Sequence, residues 1–282
     1  MNKPLVEIQN LRVDFPTASG GFNPAVRGVS MSLGREKLGI VGESGSGKSV
    51  TGRALMRLLP EAARVRADKL VFDGIDVLGA RERQMRRLRG GRIGLIMQDP
   101  KYSLNPVMTV GQQIAEAWLA HQKGGRREAR EAALTLLEQV KIRDPRRVLD
   151  SYPHEVSGGM GQRVMIAMML APNPDLLIAD EPTSALDASV QAEILKLIED
   201  LVSERGMGLM LISHDLPLVA RFCDRVVVMY AGQVMEELPA RDLHRAEHAY
   251  TRGLLECMPS LERKRARLPT LNRDPSWLEP RA

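Results

Sequence analysis

The sequence predicts an α/β fold built on a mostly parallel sheet, and three observations lead there. Runs such as "DLLIAD" (175–180) and "GLMLIS" (208–213) are almost continuously apolar rather than alternating, the pattern of strands buried on both faces. Segments of helical period follow them, and the two kinds of segment recur in turn along the chain. The composition can also fill such a core: 282 residues, 44% hydrophobic but only 4% aromatic, so aliphatic side chains and 15 methionines supply the interior.

The first clear strand is "KLGIV" (37–41), followed by the helical pattern "GKSVTGRALMRLL" (47–59). The arginine-rich "RERQMRRLRGGR" (81–92) reads as the solvated face of a helix leading into the strand "RIGLIM" (92–97). No aromatic residue interleaves with its arginines to stack bases, so a nucleic-acid partner is not expected. From about Thr109 to Leu170 the pattern turns helical, with "VGQQIAEAWLAHQ" and "RREAREAALTLLEQV" separated by the break "KGG". That stretch reads as a helical insertion in an α/β core.

After the strand "DLLIAD", the helix "SVQAEILKLIEDLVSERG" begins just past Asp187, a suitable cap, and ends near Gly206. "GLMLIS" is the next strand. "RVVVMYAGQVMEE" (225–237) reads as two strands turning at Ala231 and Gly232. The tail from Leu261 mixes charge with proline and is expected to be extended or poorly ordered. No internal repeat is present.

Several classes are disfavoured at this point. The two cysteines, Cys223 and Cys257, form neither a metal-spaced pair nor a disulfide framework, which fits a reducing compartment. No stretch approaches the roughly 20 apolar residues of a membrane helix, and the N-terminus "MNKPLVEIQN" lacks an apolar leader core. A cytosolic chain able to dock on a membrane-embedded partner is expected. The formal net charge of +5 points only generally to anionic partners.

The chemistry concentrates in a few short motifs. "GESGSGKS" (42–49) matches G-x-x-x-x-G-K-[ST] between a predicted strand and a predicted helix. Glycines let backbone N–H groups curl toward phosphate oxygens, and the helix N-terminus adds partial positive charge. Lys48 would reach the β- and γ-phosphates, and the Ser49 hydroxyl would ligate Mg²⁺. "LLIADEP" (176–182) ends a buried strand in two acids at the sheet edge where open α/β sheets bind ligands. There Asp180 would hold Mg²⁺, directly or through water, and Glu181 would polarise an attacking water. Gln98, ending "GLIMQ", could contact either Mg²⁺ or that water, and His214, ending "LISH", could bond the γ-phosphate.

The cradle, Gln98, "SGGMGQR" (157–163), "IADEPTSALD" (178–187) and "ISHD" (212–215) occur in this order. The set resembles the ATP-binding subunits of ATP-binding cassette (ABC) transporters over roughly residues 5 to 250. "MQDPKYSLNPVMTVGQQI", "YPHEVSGGMGQRVMIAMML" and "EHAYTRGLL" narrow the resemblance to the peptide and nickel importer branch. Ala249, Gly161 and Val156 stand where that branch usually has proline, a basic residue and leucine.

The resemblance implies an α/β fold with a RecA-like P-loop NTPase core, an antiparallel β subdomain and a helical ABC subdomain. The nucleotide-binding domain would cover 1–250, with the helical subdomain at about 105–170 inserted in it and a C-terminal extension at 251–282. It further implies ATP and Mg²⁺ as ligands. Gly42, Glu43, Ser44, Gly45, Ser46, Gly47, Lys48, Ser49 and Val50 would form the phosphate site, with Phe15 or the nearby Phe22 stacking on adenine. Metal contacts would fall to Ser49, Gln98 and Asp180, and catalysis to Glu181, His214 and Gln98. Ser157, Gly158 and Gly159 would bind the γ-phosphate of an ATP held by a partner subunit, and Asp187 would couple the two sites.

The same resemblance implies a second ABC ATPase subunit (a heterodimer in this branch), two membrane permeases, and a solute-binding protein reached through the complex. The location would be the cytoplasmic face of the cell membrane. The expected function is ATP hydrolysis energising import of peptides or a related solute, with nickel or a metal chelate as the rival cargo. A soluble ABC ATPase acting on DNA or ribosomes is the alternative of a different class. It is disfavoured by the single cassette and the absence of sustained heptads.

Overall fold

The computed structural model describes residues 3–99, 103–184, 186–257, 271 and 273–278. The chain divides into two compact units, residues 1–76 with 211–282, and residues 77–210.

The first unit contains an antiparallel sheet. β1 (Val6–Pro16) pairs with β2 (Phe22–Leu33), β4 (Arg64–Arg66) and β5 (Lys69–Phe72), and β5 pairs with the two-residue β6 (Ile75–Asp76). In β1, Val6 and Ile8 are buried, then Leu11 and Val13. The phase of alternation slips by one at Asn10, which adopts φ 50° where the register with β2 shifts. A bulge of this kind keeps the apolar side chains on one face while bending the strand.

The same unit carries β3 (Lys37–Val41), β10 (Arg225–Tyr230) and β11 (Gln233–Pro239). β10 runs parallel to β3 and antiparallel to β11, and β3 is followed in the strand order by β9 (Gly208–Ser213), whose residues are divided between the units. Four of the five residues of β3 and four of the six of β10 are buried, as a sheet covered on both faces requires. At Gly39 a Cβ would come within 2.0 Å of Val219 Cγ1, so glycine lets α8 (Leu216–Phe222) lie close on β3.

The turn at Ala231 and Gly232 has φ 44° and 85°, both positive, which matches the twist of a tight hairpin. α1 (Lys48–Leu55) is shorter than the predicted helix over 47–59: Arg57 turns to φ 50° and ends the helical run.

In the second unit, α2 (Glu82–Leu88) leads into β7 (Ile93–Ile96), as the arginine-rich segment suggested. β7 pairs in parallel with β8 (Leu176–Asp180), all five of whose residues are buried, and β9 follows β8 in the order. The helical stretch holds α3 (Val110–Leu119), α4 (Arg126–Gln139), α5 (Pro145–Asp150) and α6 (Gly158–Leu170). Thr109, Asp144 and Ser157 each cap one of these helices through a side-chain oxygen. α7 (Ala188–Arg205) starts from Asp187 and ends at Gly206 in the left-handed region, both as predicted.

No described helix is long and apolar enough to cross a membrane. Both cysteines are free thiols. Of the tail predicted to be extended, only Leu271 and residues 273–278 are described, and Pro275–Leu278 forms one 3-10 turn. The rest of that prediction lies outside the described residues. α9 (Ala249–Glu256) precedes the tail.

Candidate nucleotide site

In the first unit, the carboxyl end of β3 opens directly into Gly42–Ser49, and Gly47 caps α1. Gly42, Gly45 and Gly47 have φ of 151°, 80° and 94°, and so supply the turns that side-chain-bearing residues resist. Their surroundings differ. A Cβ on Gly42 would come within 2.0 Å of Met229 O, and one on Gly47 within 2.6 Å of Ala25 O, whereas one on Gly45 would meet nothing within 4 Å. The loop is thus clamped at both ends and open at its middle, which is the shape a phosphate cradle needs.

Lys48 is 5% exposed, and its Nζ donates to Gly42 O and Glu43 O at 2.8 Å each. Its ammonium is therefore held inside the loop rather than in solvent. Ser49 and Val50 are half-buried in the first turn of α1.

Two segments distant in sequence, the turn between β10 and β11 and the helix α9, brace the loop. Gly232 N–H donates to Ser46 O at 3.1 Å, while Gly232 O accepts from Arg27 N at 2.7 Å. The hairpin turn therefore ties the cradle to β2. Glu43 N–H donates to Tyr250 Oη at 3.2 Å. Only the turn signal at Gly232 and the motif "EHAYTRGLL" drew notice to these positions in the sequence.

Phe15 is half-buried near the end of β1, opposite Asn23 of β2. Phe22 is 38% exposed and has the Arg64 guanidinium 3.6 Å from its ring centroid, so one face is already taken. His214 follows β9 directly and is exposed.

The second unit holds the remaining candidates. Gln98 lies just past β7 and is exposed. Asp180, 6% exposed, ends β8, and Glu181 follows it at φ 49°. A non-glycine residue in that region costs of order 1–3 kcal/mol and persists only where its surroundings impose it. Ser184 supplies part of that restraint, its N–H and hydroxyl both donating to Glu181 O.

Ser157 caps α6, its Oγ accepting from Met160 N at 3.3 Å, and Gly158 is exposed beside it. Gly159 stands close to α7: a Cβ there would come within 3.0 Å of Val190 Cγ1. Asp187 Oδ1 accepts from Ser189 N, Ser189 Oγ and Val190 N at 3.1, 2.7 and 3.0 Å. The Ser189 hydroxyl first, and then the amide of Val190, hold its carboxyl below the usual aspartate range. The second unit thus joins the "SGG" loop, the acidic loop and the Asp187 cap. The first joins the cradle, Phe15 and His214.

The ABC transporter family model matches residues 26–184, more than half of the chain. A probable peptide ABC transporter ATP-binding protein of Sinorhizobium fredii is 49% identical over 276 residues, covering 95% of this chain and 81% of the relative. The dipeptide transport ATP-binding protein of Escherichia coli is 48% identical over 269 residues, covering 95% and 82%. An ATP-binding cassette solved as a dimer in a post-hydrolysis state with ADP and Pi superposes with a TM-score of 0.73 at 27% identity, over 84% of this chain and 99% of the other.

A glycine loop at a helix N-terminus, a lysine folded into it and a strand-end acid pair are residues that fit a nucleotide and its metal. Together with these matches they establish that the chain belongs to the ABC transporter family, as an ATP-binding and ATP-hydrolysing subunit.

Proposed function

We propose that this chain is one ATPase subunit of an importer whose cargo is peptides. The observation that carries the cargo class is near-50% identity, along almost the whole chain, to subunits named for peptide and dipeptide transport. A nickel cargo gains no support from those names.

In this reading the amides of residues 44–50 and the Lys48 ammonium receive the phosphates. Phe15 stacks on adenine, since Phe22 already carries Arg64 on one face. Ser49, Asp180 and Gln98 hold Mg²⁺, which when bound neutralises charge on the phosphates and the leaving group. Glu181 accepts the proton of the attacking water, and His214 donates a hydrogen bond to the γ-phosphate. Ser157, Gly158 and Gly159 present donors to the ATP of a second ATPase subunit, and Asp187 couples the two sites. Closing contacts that exist only with ATP in place shift the dimer toward its closed state.

The remaining partners are a pair of membrane permeases and a solute-binding protein acting through them. The chain is then peripheral, on the cytoplasmic face. Co-purification of the tagged chain from detergent extract, followed by ATPase assays in proteoliposomes, tests the reading. Stimulation by peptides, abolished in Glu181→Gln, is the expected result. Stimulation by Ni²⁺ with none by peptides overturns the cargo, and absence of any permease overturns the transport role.

A further inference from the structure

Glu43 is held by the C-terminal part of the chain at two points. Its N–H donates to Tyr250 Oη at 3.2 Å, and its carboxylate accepts from Arg273 at 3.0 Å. Tyr250 is fully buried at 0% exposure. Its ring packs on Tyr230 at 4.7 Å and meets the Trp277 ring in a T-shaped contact at 5.6 Å. His248 Nδ1 accepts from Tyr250 N at 3.1 Å and so fixes the first turn of α9 beneath it. Leu271 lies against Gly253 of that helix.

The Glu43 amide belongs to the same peptide unit as the Gly42 carbonyl, the oxygen that accepts from Lys48 Nζ at 2.8 Å. In a trans peptide the N–H and C=O point in opposite directions from one rigid plane. Tyr250 therefore grips the far side of the plane on which Lys48 rests. Without that acceptor, the amide would lack its partner and the plane would be free to turn, carrying Gly42 O away from the ammonium. Burial pushes the Tyr250 hydroxyl up to about 12, so it stays neutral throughout the working range and its lone pair remains a steady acceptor.

We propose that Tyr250 is a positioning residue for the nucleotide site. Its hydroxyl sets the Gly42–Glu43 peptide and, through it, the resting place of Lys48, while Arg273 and Trp277 strap that arrangement in place. The inference rests on residues 42–49 being the phosphate site. It makes the C-terminal segment part of the ATP site's architecture, so that events at the C-terminus alter nucleotide affinity.

The test is steady-state ATP hydrolysis by the full chain in the assembled transporter, with thermal melting of each variant. Tyr250→Phe keeps the ring and loses one hydrogen bond, so KM for ATP should rise about three- to tenfold while kcat stays within about twofold. Arg273→Ala should raise KM about twofold, in the range of an exposed ion pair. A role confined to folding would instead lower the melting temperature and kcat together and leave KM unchanged, which overturns the proposal. An unchanged KM in Tyr250→Phe overturns it as well, and an unchanged KM in Arg273→Ala removes the C-terminal strap from it. Lys48→Ala separates the two readings. If it retains tight ATP binding, the phosphate site itself is misplaced; if binding is lost while Tyr250→Phe behaves as wild type, only the present inference fails.

Discussion

Gln162 Nε2 lies 2.5 Å from the carbonyl oxygen of Pro182, and both residues are buried. Gln162 stands in α6 just beyond Ser157–Gly159, and Pro182 directly follows Glu181. One hydrogen bond therefore fastens the loop proposed to face a partner's nucleotide to the loop carrying the proposed base. Gln162→Leu should lower stability by about 1 kcal/mol, because the lost bond is partly offset by removing Oε1, which is buried without a partner. Gln162→Glu sets a carboxylate against that carbonyl and should cost about 3 kcal/mol. Urea denaturation of both variants checks the ordering.

Glu181 combines a proposed chemical role with a left-handed backbone at φ 49°. Glu181→Gly should raise the stability of the chain by about 1 kcal/mol, since glycine occupies that region without strain. The same change should depress ATP turnover by at least about 100-fold, the span of a lost general base. A stabler and nearly inactive variant is the expected signature, read from melting and turnover on one preparation.

The glycines of the cradle should not be equivalent. Gly42→Ala drives a Cβ to 2.0 Å from Met229 O, so the backbone has to shift, and the expected loss exceeds about 3 kcal/mol. Gly45→Ala meets nothing within 4 Å and bears only the cost of its φ of 80°, about 1 kcal/mol. Equal destabilisation of the two would contradict the clamped-ends, open-middle description of this loop.

Asp187 gives stability a dependence on pH of defined sign. Its carboxyl titrates below the ordinary value of 3.8 because the folded chain bonds its ionised form. The stabilisation is complete above that ordinary value and is lost as pH falls through the lowered one. Wild type should melt higher than Asp187→Ala at pH 7, with the gap closing as the buffer is taken below pH 3.8. A gap unchanged across that range would mean the cap works without its charge.

The two thiols should react unequally. Burial pushes the Cys223 thiol up to about 12, whereas Cys257 is partly exposed. A thiol-specific reagent at pH 8 should label the native chain once, at Cys257, and twice after denaturation. Rapid native labelling of Cys223 would show that α8 opens readily from β3.

Strands buried on both faces were legible because nothing interrupts their apolar runs: β3, β8 and β9 stand where the sequence put them. Asp187 and Gly206 marked the ends of α7 through chemistry local to each residue. β1 was harder, since the slip at Asn10 breaks its alternation into two out-of-phase halves. β4 and β6 are too short to carry a period at all. In the site, motif spacing named the cradle and the acid pair. The Tyr250 hydroxyl and Gly232 amide reach the cradle only through the tertiary fold, across some two hundred residues of sequence, and no local pattern reports such a contact.

The hairpin turn at Gly232 has a genetic consequence. Its amide holds Ser46 O, and its carbonyl holds the Arg27 amide. A Cβ there would stand 2.7 Å from Ala25 O. In a screen for strains that lose uptake while still producing the protein, lesions at Gly232 should therefore fall into the same phenotypic class as lesions at Ser46 or Lys48. A mutational map drawn along the gene would show two distant clusters, and the fold makes them one locus.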